Sequence, residues 1–372
     1  MKRSTFFAVI IVFAAVLVGC NASQDPIHDT TKLWPAFNTS VNKWGFIDAK
    51  GNFAIQPMFD QVSGFSCGYA VVEMNGQAKY IDTKGQIQTT TSMDRADDFY
   101  YNYATFVLNK KYGMINNKCV TIMQPMYEYI GDMGDNGLVA VQLSSSDKYG
   151  FCNAKGEYKI QPAYDMAFDF IGGGAVVVSG SSFGVIDKSG QYTIAPNYNE
   201  LLNMGQGLIF YEQNEKYGAL DLRGSVVIQP MYDDFTALVD NNLIGVEQNE
   251  RCGYIDTKGN IRLDMQYYDV TPFFEGYAWI QATEESAYTL IDSRGNVLQT
   301  LGQDDKPYTG MHNGLALVRS GNGLKYVDVR GREVYAWSYA NGSDAPAKKS
   351  AKKYGDNDMV KRTLHFSSQN LY

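Results

Sequence analysis

The sequence predicts an all-β fold built from about nine tandem three-stranded units. Three observations predict it. A short pattern recurs at near-constant spacing across residues 43–337. A tight-turn signal follows each recurrence at a fixed distance. The composition suits short strands and turns: of 372 residues, 27 are Tyr, 19 Phe and 36 Gly, with only 10 Pro. With 45% hydrophobic and 19% charged residues, the chain has the apolar content to fold. Its length suits two ordinary domains or one repeat array, and the recurrences decide for the array.

The recurrence begins with Lys43-Trp44-Gly45-Phe46-Ile47-Asp48. It returns around Gly113, Gly150, Gly184, Gly218 and Gly253. Three further copies replace the Gly, by Lys79, Thr289 and Lys325. Taking that residue as position zero, successive copies are 34 to 37 residues apart. Positions +1 and +2 are apolar in all nine copies, as in Phe46-Ile47 and Tyr254-Ile255. Two consecutive apolar residues predict a motif strand covered on both faces. Position +3 is Asp or Asn in all nine, and +6 is Gly in eight, Cys119 being the other. The pairs Asp48 and Gly51, Asp187 and Gly190, Asp221 and Gly224, and Asp256 and Gly259 therefore read as structural turns. The acid accepts from backbone two residues on, and the Gly supplies a positive φ. A bulged hairpin follows naturally.

After the turn, Phe53-Ala54-Ile55 or Val226-Val227-Ile228 reads as a return strand. A Pro at +12 occurs in five copies (Pro57, Pro125, Pro162, Pro196, Pro230) and is expected to end that strand. A loop of about ten residues leads to a Gly-led strand, as in Gly68-Tyr69-Ala70-Val71-Val72 and Gly137-Leu138-Val139-Ala140-Val141. A single such meander cannot bury both its faces, so neighbouring units must stack.

The unit resembles the WG (KWG) repeat of bacterial proteins, and the resemblance covers residues 43–337. It implies an all-β repeat scaffold of exported and surface proteins, with no shared chemistry. Nine motif strands but only eight Gly-led strands are recognisable before the pattern stops at Trp337. A closed ring needs equal numbers, and nine blades exceeds the usual propeller range of about 4–8. The expectation is therefore an open twisted array, with a propeller-like closed ring as the alternative.

The chain ends carry an address. Residues 1–20 read MKRSTFFAVIIVFAAVLVGC, a basic start and an apolar run of thirteen ending in Leu17-Val18-Gly19-Cys20. The run is shorter than the roughly 20 residues that span a bilayer, and it reads as a signal peptide. It resembles a bacterial lipoprotein signal, which implies cleavage and lipidation at Cys20. The implied location is lipid-anchored on the extracytoplasmic face of a bacterial membrane. Residues 21–42 read as a tether, and 338–372 as a basic C-terminal tail of net charge +3. Lys348, Lys349, Lys352, Lys353, Lys361 and Arg362 in that tail could meet anionic lipid or wall polymer. Cys67, Cys119, Cys152 and Cys252 form no CxxC pair and read mainly as small apolar residues, one disulfide being the alternative.

Catalytic signals are sparse. His28 and His365 lie in the tether and tail, leaving His312 alone in the repeats. It has no evident partner for nucleophilic catalysis. The recurring Asp residues are explained as turn formers, and their Asp-x-Lys-Gly spacing does not make a calcium loop. No phosphate-binding Gly loop is present, and no cofactor is expected. A net charge of −8 argues against nucleic acid as partner. Trp44, Tyr112, Tyr149, Phe183, Tyr217 and Tyr288 recur at one position and read as packing; Trp34, Tyr100, Tyr101, Trp279 and Trp337 do not recur and are the candidate binding aromatics. The expected function is a non-enzymatic, lipid-anchored scaffold for an envelope protein or wall component. Carbohydrate binding is the alternative, and a hydrolase with paired carboxylates has least support.

Overall fold

The computed structural model describes residues 31–145, 147–236 and 242–338. Cys20, His28, His365 and the basic tail lie outside these residues. Every regular element described is a strand. The strands form nine antiparallel sheets, seven of four strands and two of three. Each sheet is one contiguous stretch of chain, from Trp34–Phe59 at one end to Lys306–Ser338 at the other.

The nine sheets are the blades of a closed propeller, so the all-β repeat array takes the ring form and not the open one. The reason for closure lies in residues 31–38. The segment Trp34–Asn38 pairs in register with the motif strand Lys43–Ile47. It supplies the ninth Gly-led-type strand without a leading Gly, inside what reads as tether. The counts of the two strand types are then equal.

A blade does not start where the sequence unit starts. A typical one holds a short innermost strand (Tyr129–Ile130), the Gly-led strand (Leu138–Gln142), the motif strand (Tyr149–Asn153) and the return strand (Tyr158–Tyr164) outermost. The return strand does not stop at Pro: Phe53–Phe59 runs through Pro57. Its pairing jumps from Phe46↔Ile55 to Trp44↔Phe59, so the Pro sits in a bulge of an edge strand, where its lacking N–H is tolerated.

The core lies between blades. Each of the eight apolar clusters joins neighbouring blades, such as the second and third around Tyr80, Phe99 and Phe106. The largest spans the ninth, first and second, with Leu317, Tyr326 and Trp337 packed with Trp34, Trp44 and Phe46. The seam has no shared strand. It repeats the contacts of the other junctions. Tyr80 and Tyr254 each donate their hydroxyl to a backbone oxygen of the next blade, Asp97 O at 2.5 Å and Thr271 O at 2.7 Å. Tyr326, at the same repeat position, donates to Pro35 O at 2.9 Å across the seam. Trp44 and Trp337 meet edge to face there, with ring centroids 5.8 Å apart.

Candidate interaction face

All nine +3/+6 turns have one geometry. Asp48 Oδ1 accepts the N–H of Lys50 at 2.8 Å and of Asn52 at 3.0 Å. The same pair of bonds recurs at Asp187, Asp221 and Asp256, and at Asn116 and Asn153. Gly51, Gly190, Gly224 and Gly259 lie at φ +83° to +85°, the left-handed region. These glycines also face the preceding blade. A Cβ on Gly259 would lie 3.5 Å from Ile228, and one on Gly51 would lie 2.3 Å from Val334 O across the seam. Backbone N–H donors hold the Asp48 and Asp221 carboxyls below the ordinary carboxylate value. For Asp187 the Ser189 hydroxyl leads.

The recurring lysines at −2 are also engaged. Lys43, Lys148 and Lys216 pair with Asp60, Asp165 and Asp233, and Lys111 with Glu128 at 2.7 Å. Each of these aspartates also accepts a backbone N–H from the next blade, those of Asn75, Gly180 and Asn249, at 2.8 Å. The half-exposed pairs contribute only a few tenths to about 1 kcal/mol each. The −2 to +15 spacing was visible in the sequence as Lys and acid, but only the blade arrangement brings them together.

Most of the candidate binding aromatics are core. Trp34, Trp279 and Trp337 are 1%, 0% and 6% exposed. Of the recurrent ring position, Trp44, Tyr149, Phe183 and Tyr288 are buried, and Tyr112 and Tyr217 half-buried. Tyr100 and Tyr101 are half-buried in the loop before Tyr103–Leu108, edge to face at 4.9 Å. Among the described residues, Cys67, Cys119, Cys152 and Cys252 form no disulfide with one another. Cys152 and Cys252 are buried, and burial pushes the Cys152 thiol up to about 11. Cys119 holds the turn position at φ +55°.

The strand directions alternate within a blade. The loops leading into the Gly-led strands therefore share one face with the +3/+6 turns. These loops differ from blade to blade, unlike the turns, and they are laced to their neighbours. Ser66 Oγ donates to Phe99 O at 2.6 Å, and Cys67 Sγ lies 2.8 Å from Tyr101 O. Asp169 Oδ1 accepts Asp132 N–H at 2.9 Å. Asn203 Nδ2 donates to Ile171 O and Gly174 O, each at 2.8 Å. Asn313 N–H donates to Glu275 Oε2 at 2.7 Å. Asp97, Asp98, Asp132, Asp135 and Asp169 give the stretch over the third to fifth blades an acidic character. Burial pushes Asp135 up, against backbone N–H donors led by Gly172. Among the described residues, no group of three or more His, Cys, Asp or Glu side chains is arranged to hold a metal ion. His312 does have a carboxylate neighbour, Glu275, with Oε1 3.2 Å from Nδ1. No sequence spacing signals that pair, because it joins two loops 37 residues apart.

A sequence profile for the WG containing repeat matches residues 44–77, 112–145, 149–180, 183–217, 217–252 and 253–282, together more than half of the chain. The three units lacking the position-zero Gly fall outside those matches. Among solved structures, a eukaryotic initiation factor is 11% identical, with 83% of this chain and 96% of that chain covered and a TM-score of 0.58. Dipeptidyl peptidase 4 of Porphyromonas gingivalis is 10% identical over 90% of this chain and 61% of its own, at a TM-score of 0.45. The dihydro-heme d1 dehydrogenase NirN is 11% identical over 83% and 74%, at 0.43. At such identity the initiation-factor likeness concerns the fold alone. A search of curated proteins gives no match.

Proposed function

The chain belongs to the WG containing repeat family, and from that premise we propose that the ring is a non-enzymatic scaffold that docks an envelope protein through its loop face. The observation that carries this reading is a division of labour. The recurring polar residues are engaged in turns and blade junctions, while the residues that differ between blades gather in one belt of loops. Loops held by a rigid scaffold are where binding specificity resides. The basic start, apolar run and Cys20 support export and a lipid anchor on the outer side of a bacterial membrane.

A second reading has one observation in its favour. The paired rings of Tyr100 and Tyr101 offer a platform of the kind that stacks on a sugar. Binding to wall glycan is therefore the alternative to a protein partner.

The test is to replace the loop residues Tyr100, Tyr101, Asn102, Asp132 and Asp135 by Gly or Ser, with the buried Phe99 and Met133 kept. The variants and the native chain are then compared against purified sacculi and against envelope proteins. Specific retention that disappears in the variants, with the thermal midpoint within about 3 °C of native, supports the loop face. Equal retention by native and variants overturns it. Tyr100→Ala with Tyr101→Ala separates the two readings: loss of sacculus binding alone selects the glycan.

A further inference from the structure

We propose that His312 and Asn313 form a proton-sensitive latch that fastens the first strand of the ring to the last blade. His312 is the one histidine among the described residues. It sits where three blades meet. Its backbone oxygen accepts the Trp34 indole N–H at 3.0 Å, from the first blade. Its Nδ1 lies 3.2 Å from Glu275 Oε1, of the eighth blade. Its Nε2 lies 3.1 Å from Asn313 Nδ2. The same Asn313 amide nitrogen is 3.4 Å from Thr31 O, just before the first strand. Glu275 and Asn313 occupy the same loop position in adjacent blades, both left-handed at φ +50°. That conformation is unfavourable for Glu, and the contacts of its carboxylate hold it: Oε2 accepts Asn313 N–H, and Oε1 faces the imidazole.

Hydrogen-bond polarity makes the arrangement sensitive to one proton. A neutral ring carrying its proton on Nδ1 presents N–H to Glu275 and a lone pair to the Asn313 amide N–H. The Nε2 contact is satisfied, Nδ1–H faces Glu275 Oε1 at 3.2 Å without an aligned hydrogen bond, and an N–H of Asn313 is directed to Thr31 O. Adding a proton at Nε2 sets two donors face to face. Asn313 must then turn its amide, which points Oδ1 at Thr31 O, acceptor against acceptor. The imidazolium gains its attraction to Glu275, and the link to Thr31 is lost. The groups facing the imidazole are Glu275, Asn313 and the Phe274 ring, whose centroid is 5.9 Å away. Among these, Glu275 is the one other charged side chain. Acid therefore loosens the entry of the chain into the ring while drawing the eighth and ninth blades together. Histidine is the side chain whose charge ordinarily changes between pH 5 and 8.

The experiment follows the Trp34 indole N–H of the full chain by NMR, with Trp44 as internal reference. Its protection against solvent exchange, corrected for intrinsic rate, is measured from pH 8 to pH 5. The expected result is a fall of about fivefold, as for loss of one ordinary hydrogen bond, with Trp44 unchanged. His312→Gln keeps a hydrogen-bonding side chain without a titratable one, and the fall should vanish. Glu275→Gln leaves the ring and its contact with Asn313 in place, and the fall should remain. Constant protection in the native chain, or the same fall in His312→Gln, overturns the latch.

Discussion

Six blades carry Gly at position zero; of the three that do not, the eighth and ninth have an outer strand. Their outer strands pair differently. In the six, the residue before the Gly pairs with +14: Trp44↔Phe59, Tyr149↔Tyr164, Tyr217↔Tyr232 and their equivalents. In the ninth blade the same position, Leu324, pairs with Trp337 at +12, and Lys325 pairs with Ala336. The eighth also pairs directly, Thr289 with Thr300. The Gly blades thus hold two extra residues in a bulge opposite the Gly. A Cβ on Gly45, Gly150 or Gly218 would stand 2.5–2.8 Å from the +10 carbonyl and 2.8 Å from the Pro nitrogen. Gly and bulge are one device: the Gly exists because folded-back backbone occupies its Cβ space. Where the bulge is absent, Thr or Lys fits. This explains why Pro at +12 never occurs in a copy that has lost the Gly.

The largest expected effect breaks that coupling. Gly218→Ala sets a methyl against Ile228 O, a backbone atom that cannot step aside. A loss of about 3 kcal/mol is expected, at the upper end of overpacking. Thr289→Gly in the eighth blade removes a half-exposed side chain and its hydroxyl contact with Thr300 Oγ1 at 3.1 Å, and should lose about 1 kcal/mol. Urea unfolding of both variants checks the pair. Equal losses would mean the bulge yields and the comparison fails.

The repeat, its turns and the interleaved core were legible in the sequence because each depends on local spacing. Asp at +3 with Gly at +6 is a turn whatever surrounds it. Two apolar residues in a row report burial on both faces. Closure was not legible, because it depends on one unmarked strand. Trp34-Pro35-Ala36-Phe37-Asn38 lacks the leading Gly and precedes the first motif. The Pro bulge was misread as a strand end for a similar reason: Pro removes a donor, and only the partner strand shows that the outer edge has no use for it. On the functional side, three of five candidate aromatics proved to be packing. A solitary Trp reports a large buried volume as readily as a binding surface, and its spacing cannot distinguish the two.

The seam can be set against an interior junction in the same way. Tyr326→Phe and Tyr254→Phe each leave a buried backbone oxygen without its hydroxyl donor. Each should cost about 1–2 kcal/mol, read from thermal midpoints. Equal losses mean that the ring closes by an ordinary junction. A loss at Tyr254 alone would mean that the seam is held by its Trp and Phe contacts, with its hydrogen bond incidental.

The smallest effect separates the Asp turns from the Asn turns of the third and fourth blades. Hydrogen-bond donors hold the carboxyls of Asp48 and Asp221 below their ordinary value. A depressed folded pKa means that the stabilisation is fully present above the unfolded value, near 3.9. It is lost as pH falls through the folded value. Asn153 makes the same two backbone bonds with nothing to titrate. Amide exchange should therefore show Arg223 and Ser225 losing protection below about pH 4, while Lys155 and Glu157 keep theirs. Asp221→Asn should make the sixth blade behave like the fourth at acid pH and leave its neutral-pH protection nearly unchanged. If Arg223 in that variant still loses protection in acid, the carboxylate is not what fastens the turn. The shared turn shape would then rest on the left-handed Gly alone, which is the same in both blades.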